Sequence, residues 1–294
     1  MASLGARIME GKSGMINKQE IMEEAKKHNL PPNTIEKDYV LNWLLAGISE
    51  AKLLQTHWVF KGGTCLKKCY FESYRFSEDL DFTITNIDHR SPEYLKTVFV
   101  SIADWVYEQI GLEFPEDEIT FELYNNPRGE LSIQGKLGFK GPMQRRGNNP
   151  TIKLDLSWDE ILVEPAVKKT IYHPYSDSSF DYQIHTYCIE EIFAEKLRAF
   201  VERMRPRDLY DIIHLFDDSR WSPDRERLFL ALEKKCAFKQ VVVPTLESVN
   251  AMAGKADLVA DWEGMLAHQI YELESPEFYW GKLPSLFNWL YPAK

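Results

Sequence analysis

The stretch that most constrains the fold runs from Trp58 to Ile84 and reads WVFKGGTCLKKCYFESYRFSEDLDFTI. A short apolar run, Val59–Lys61, ends in Gly62-Gly63-Thr64. A helical segment follows over Thr64–Phe71, and Ser77, Asp79 and Asp81 lead into a second apolar run, Leu80–Ile84. The pattern predicts strand, glycine turn, helix and strand. In an extended strand, residues two apart point to the same side, so Asp79 and Asp81 present paired carboxylates. Paired hard oxygen ligands suit Mg²⁺, which is commonly held by one or two carboxylates together with substrate phosphates. A glycine turn leaves backbone N–H groups free at a helix N-terminus, which favours an anionic phosphate there.

Composition narrows the class. Hydrophobic residues make up 44% of the 294, enough to bury a core and to argue against extended disorder. No apolar run approaches the roughly 18–20 residues that span a bilayer, so no membrane association is expected. The start, MASLGARIMEGKSGM, lacks a signal-peptide core; it reads as a flexible lead or a vector remnant, with Met15 as an alternative start, and the protein reads as cytosolic. Cys65, Cys69, Cys188 and Cys236 form no CxxC pair; Cys65 and Cys69 read as small buried residues. The net charge of −10 argues against a generic nucleic-acid binder, because phosphate contacts demand positive charge. It leaves room for a local basic groove, with Lys61, Lys67, Lys68 and Arg75 as one candidate cluster and Lys136, Lys140, Arg145 and Arg146 as another.

Along the chain, residues 17–28 predict a polar helix stopped by Pro31-Pro32, and Asn33 or Thr34 is expected to cap a second helix. Ser91–Ile110 predicts a helix with Leu95, Val98, Phe99, Ile102, Val106 and Ile110 on one face. Ile119–Tyr124 and Leu131–Phe139 alternate as strands joined at Asn125-Asn-Pro, and Gly141–Pro150 is a loop. In the strand Ile152–Leu156, Ile152, Leu154 and Leu156 share one face, Lys153 and Asp155 the other. Residues 164–183 read as a connector with an edge strand. From Ile189 the pattern is helical to about residue 290, interrupted near Pro206, Pro223, Pro244 and Pro276. His214, in the apolar run IIHLF, reads as a packing residue. The architecture expected is α/β: an N-terminal lobe with a mixed sheet over 1–170 and a mostly helical lobe over 171–294, the boundary falling near 165–188. A substrate cleft is expected between them.

Four stretches together carry a family resemblance: Ile35-Glu-Lys-Asp-Tyr-Val40, the Lys61-Gly-Gly-Thr64 to Asp81 block, Ile152-Lys-Leu-Asp-Leu156, and Glu195-Lys-Leu-Arg198 followed by Arg207-Asp-Leu-Tyr-Asp211. In this order they resemble the DNA-polymerase-β-like nucleotidyltransferase superfamily and, more narrowly, the AbiEii-type nucleotidyltransferase toxins of abortive-infection and toxin–antitoxin systems. Residues 220–294 carry no matching motif. The resemblance implies metal ligation by Asp79 and Asp81, with Asp155 as a third acid and Asp159 and Glu160 as rivals. It implies Lys196 as the lysine on the nucleotide phosphates, and an essential aspartate at Asp208 or Asp211. Gly62, Gly63, Thr64 and Lys61 are expected beside the triphosphate. Ser77 would bond a phosphate oxygen or cap the strand start, and Arg207 would meet a phosphate or pair with Asp211. Asp208 also stands where an acid complements a helix dipole.

The activity implied by the resemblance is an Mg²⁺ (or Mn²⁺)-dependent transfer of a nucleoside monophosphate from an NTP to RNA, with a tRNA 3′ end as acceptor. A cognate antitoxin is implied as partner. The alternatives are nucleotidylation of a protein, or a binding module of weak activity, against which the set Asp79, Asp81 and Asp155 argues.

Overall fold

The computed structural model describes residues 14–126, 129–177 and 180–292. The expectations for residues 1–13 and for Pro127 in the hairpin turn lie outside the described residues. Helices α1 (Lys18–His28) and α2 (Pro32–Glu50) lead into β1 (Trp58–Lys61), α3 (Gly62–Cys69) and β2 (Asp79–Ile84). Helix α4 (Pro92–Ile110) precedes β3 (Ile119–Asn125), β4 (Leu131–Gly138) and β5 (Thr151–Ser157), followed by β6 (Val167–Thr170) and β7 (Gln183–Thr186). The remainder is helical: α5 (Ile189–Arg203), α6 (Pro206–Asp217), α7 (Arg225–Phe238), α8 (Leu246–Asn250), α9 (Lys255–Leu266), α10 (Pro276–Trp280) and α11 (Leu283–Leu290). The molecule is therefore α/β, with a mixed sheet followed by helices, as the sequence reads. Among the described residues no helix is long and apolar enough to cross a membrane.

The strands form one sheet in the order β3-β4-β5-β2-β1-β7-β6. The pairs β2/β5 and β1/β7 are parallel, and the other neighbours are antiparallel. Alternation decides the two faces. Leu80, Phe82, Ile152, Leu154 and Leu156 are buried on the side where Trp58 and Phe121 meet Phe99 of α4. Asp79, Asp81, Lys153 and Asp155 stand on the other side, because the side-chain period of a strand is two. The connector supplies the edge strand β6 and a further strand, β7, whose four residues carry too little pattern to announce themselves.

Helix α2 starts at Pro32 with Pro31 at its N-cap and no side-chain cap, which corrects the expected cap at Asn33 or Thr34. A proline at the first helical position has no N–H to satisfy, so the cap is dispensable; the Thr34 hydroxyl donates instead to the His268 carbonyl. The Ile35–Val40 stretch is a buried polar scaffold. Glu36 accepts from the Met143 N–H and pairs with Arg145, Asp38 pairs with Lys68 at 2.6 Å, and the Tyr39 hydroxyl donates to Asp177. Of the first basic cluster, Lys67, Lys68 and Arg75 are buried, which removes them from any surface groove.

Candidate active site

The strand register builds the site. Lys61 on β1 is opposite Asp81 on β2, and Asp81 is opposite Asp155 on β5. Paired residues share a face, so these three form one row across the sheet, with Asp79 two residues back on the same face. Tyr124 of β3 donates its hydroxyl to Asp155 at 3.0 Å. Burial, and then the neighbouring Asp155 carboxylate, push Asp81 up to about 7 against the pull of Lys61. Asp79 is raised too, by burial and Asp155, with Lys153 and Arg207 opposing. This row carries more negative charge than its own cations offset.

The glycine turn is fitted to that row. Gly62 has φ +79°, and a Cβ there would lie 2.2 Å from Asp81 Oδ2, so only glycine allows the helix to begin against the carboxylate. A Cβ on Gly63 would lie 2.5 Å from Arg75 Nη2. Thr64 is fully buried and its hydroxyl donates to the Asp79 carbonyl, tying α3 to the start of β2. Ser77 is half-buried just before that strand.

Helix α5 and the Arg205 that follows it face the row across a cleft of about 700 Å³, lined by Lys61, Asp81 and Asp155 on one side and Lys196, Arg203 and Arg205 on the other. Lys196 Nζ is 2.8 Å from Asp211 Oδ2 and 3.6 Å from Asp208 Oδ1. Its partners come from the next helix, where within-helix spacing cannot reveal them. Asp211 also accepts two bonds from the Arg75 guanidinium, at 2.7 and 2.9 Å, and one from the Tyr74 hydroxyl. Burial alone would raise Asp211, but Arg75 and then Lys196 outweigh it and hold the carboxyl well below the usual carboxylate range. Asp208 is bidentate with Arg203 at 2.7 and 2.9 Å and is likewise lowered.

Arg207 does not pair with Asp211, whose oxygens are already taken. It is half-buried, its Nε has no hydrogen-bond partner among the described residues, and it is close enough to Asp79 to favour that carboxylate's charge. Lys61 meets Glu195 of α5 at 3.3 Å; burial opposes its charge, yet Glu195 raises it above the ordinary lysine range. Glu195 is held in turn by the fully buried Lys235 of α7 at 3.6 Å. Glu160 pairs with Arg198, and Asp159 with Lys239, so these rivals of Asp155 are committed to cations. Tyr124, Arg203 and Lys235 are site residues that no motif points to.

Among the described residues no three His, Cys, Asp or Glu side chains form a ready metal cluster. The donor chemistry fits a hard cation nonetheless: the row offers only oxygen ligands, and their repulsion is what a divalent ion would relieve.

A sheet-borne carboxylate row behind a glycine turn, faced by a lysine on a helical wall, is the architecture of a nucleotidyl-transferring enzyme. The family model for the nucleotidyl transferase AbiEii toxin of type IV toxin–antitoxin systems matches residues 43–282, and the chain belongs to that family. It is a nucleotidyltransferase toxin, and an NTP substrate and an antitoxin partner go with that membership. Among solved structures it is similar to MenT4, a nucleotidyltransferase toxin from Mycobacterium tuberculosis H37Rv. That likeness has a TM-score of 0.65 at 17% identity and covers 95% of this chain and 91% of the other; it supports the fold. No curated protein sequence matches the chain.

Proposed function

We propose that this toxin transfers a nucleoside monophosphate from an NTP to a hydroxyl of RNA in the cytoplasm, the acceptor being a tRNA 3′ end. The observation that carries the reading is the register that sets Asp81 beside Asp155 and opposite Lys61, facing Lys196 across the cleft. Asp79, Asp81 and Asp155 would hold Mg²⁺ (or Mn²⁺), which when bound stabilises charge on the attacking and leaving oxygens. Substrate phosphates complete such a site, so a preformed cluster is not required.

The chain's own residues do the rest. Gly62 and Gly63 keep the turn thin beside the acids. Lys196 meets the phosphates as a point charge, held on line by Asp208 and Asp211. Glu195, anchored by Lys235, fixes Lys61 beside Asp81. The guanidinium of Arg207 supplies a further phosphate contact near Asp79. The acceptor oxygen attacks the α-phosphorus, its proton passes to solvent water as the new P–O bond forms, and the bond to the β-phosphate breaks so that pyrophosphate leaves. The lobe over 1–170 bears the carboxylates and that over 171–294 bears Lys196, with β7 in the boundary region, so transfer takes place between them.

The test is incubation of the protein with each labelled NTP, Mg²⁺ and either total RNA or total protein. Label in RNA, concentrated in the tRNA fraction, is the expected result. Label in protein would replace RNA by a protein acceptor, and no label anywhere would leave a binding module.

A further inference from the structure

Two lysines on the open face of the sheet, beside the carboxylates, are not used by the chemistry above. One step along the strands from Asp81 and Asp155, Asp79 stands opposite Lys153 of β5, and Lys153 stands opposite Lys136 of β4. Both lysines are exposed. Like charges directly opposite on neighbouring strands destabilise a sheet. Three other basic groups are neutralised: Lys140 by Glu113, Arg145 by Glu36, Lys239 by Asp159 and Glu130. Among the described residues Lys136 and Lys153 have no such partner. The position opposite Lys136 on β3 is Thr120, and the nearest acid on that strand's outer face, Glu122, stands opposite Gln134.

We propose that Lys153 and Lys136 dock a backbone phosphodiester of the polynucleotide acceptor beside its reacting hydroxyl. The inference rests on the RNA-acceptor reading and adds the place where the acceptor is held. Position supports it: Lys153 lies two residues from Asp155, about 7 Å along the strand, so a phosphate bound there is a neighbour of the carboxylate row. Charge supports it as well, since a polyanion removes the repulsion between the two lysines. An acidic chain binds a polyanion only where its free cations are gathered. The phosphate also explains how a protein of net charge −10 tolerates an RNA substrate with few contacts.

The test compares the wild-type protein with Lys136→Gln, Lys153→Gln and the double variant. Transfer of labelled nucleotide to total tRNA is measured across a salt series, with equilibrium binding of the labelled NTP alongside. The double variant should raise the KM for tRNA about tenfold, and Lys136→Gln alone should raise it with kcat nearly unchanged. The double variant's log–log salt slope should be shallower by about 0.7, the counterion release of one phosphate contact to a single strand. NTP binding should hold within about twofold, and thermal stability should hold or rise. Lys136 does not border Asp79, so Lys136→Gln alone, giving about half the change in slope, separates docking from an effect on that carboxylate. Arginine at both positions should restore the wild-type slope. A double variant with wild-type KM and salt slope, in an assay where the wild type labels tRNA, overturns the docking point alone. A wild-type protein that labels no RNA overturns the acceptor reading and this inference with it.

Discussion

Asp81 and Asp211 are the same side chain, both near Lys196, and they sit in opposite electrostatic situations. Asp211, on the helical wall, is enclosed by Arg75, Lys196 and Tyr74, and its charge is strongly favoured. Asp81, on the sheet, has Asp155 as its register neighbour and a lysine already engaged by Glu195, and its charge is disfavoured. The first arrangement holds α5, α6 and the segment between α3 and β2 together. The second keeps an unbalanced charge at a cleft, which is of use only if a cation arrives with the substrate. Stability and function are thus assigned to different carboxylates according to how many cations surround each.

The largest effect expected is at Asp211. Asp211→Ala strands a buried guanidinium and Lys196, so it should cost about 3–5 kcal/mol, read as a fall in the urea midpoint. Asp81→Ala should keep the midpoint at or above the wild-type value, because it relieves repulsion, while nucleotide transfer falls to background. The reverse pattern, a destabilised Asp81→Ala and a robust Asp211→Ala, would break the comparison.

Lys196 belongs to both regions and sharpens the boundary between them. Lys196→Ala should lower kcat/KM for the NTP by about 10- to 150-fold, the worth of one charge-assisted bond. It should cost little stability, since Arg75 still neutralises Asp211. Lys196→Arg should recover little, because a planar guanidinium is no substitute for a point charge. Unchanged NTP kinetics in Lys196→Ala would make the lysine a structural counter-ion and shift the phosphate contact to Arg203 or Arg207.

The smallest effect concerns the loop before β5. The sequence offers Arg145 and Arg146 as acceptor contacts, with Lys136 and Lys140. Arg145 is bound to Glu36 at 3.0 Å and to Asn33, and Lys140 to Glu113 at the surface, so both already have anionic partners within the chain. Arg145→Gln should cost about 1 kcal/mol in a thermal or urea melt and leave RNA labelling and its salt dependence unchanged. A weakened salt slope in Arg145→Gln would return the loop to the acceptor path.

Features with a short period were legible in the sequence. The DLD strand, the glycine turn and the face shared by Lys153 and Asp155 follow from alternation, and register then assembles them. The stripe of α5 was legible for the same reason: Ile192, Phe193, Leu197 and Phe200 are buried. Partnerships between distant segments were not. Arg75 meets Asp211 across 136 positions, and nothing local marks either residue as the other's partner. Lys196 looks free on its own helix and finds its anions on α6. Lys235 gives no sign, in a region without motifs, that it will be fully buried beside Glu191 and Glu195. The Asn33 or Thr34 cap failed because Pro31 and Pro32 set the start of α2 by backbone restraint rather than by a side-chain bond.

The central claim is that Asp81 carries charge the fold does not balance, and the melting temperature across pH, with and without Mg²⁺, tests it most directly. The folded protein raises Asp81 from its ordinary 3.8 to about 7, so it binds that proton more tightly than the unfolded chain does. The group's contribution to stability is therefore full below pH 3.8 and lost as pH rises to about 7. Over that window the metal-free wild type should lose stability relative to Asp81→Asn. At about pH 8, Mg²⁺ should raise the melting temperature of the wild type and leave Asp81→Asn unchanged, since a ligand stabilises only the state that binds it. Parallel pH profiles and an equal Mg²⁺ shift in the two proteins would contradict the account.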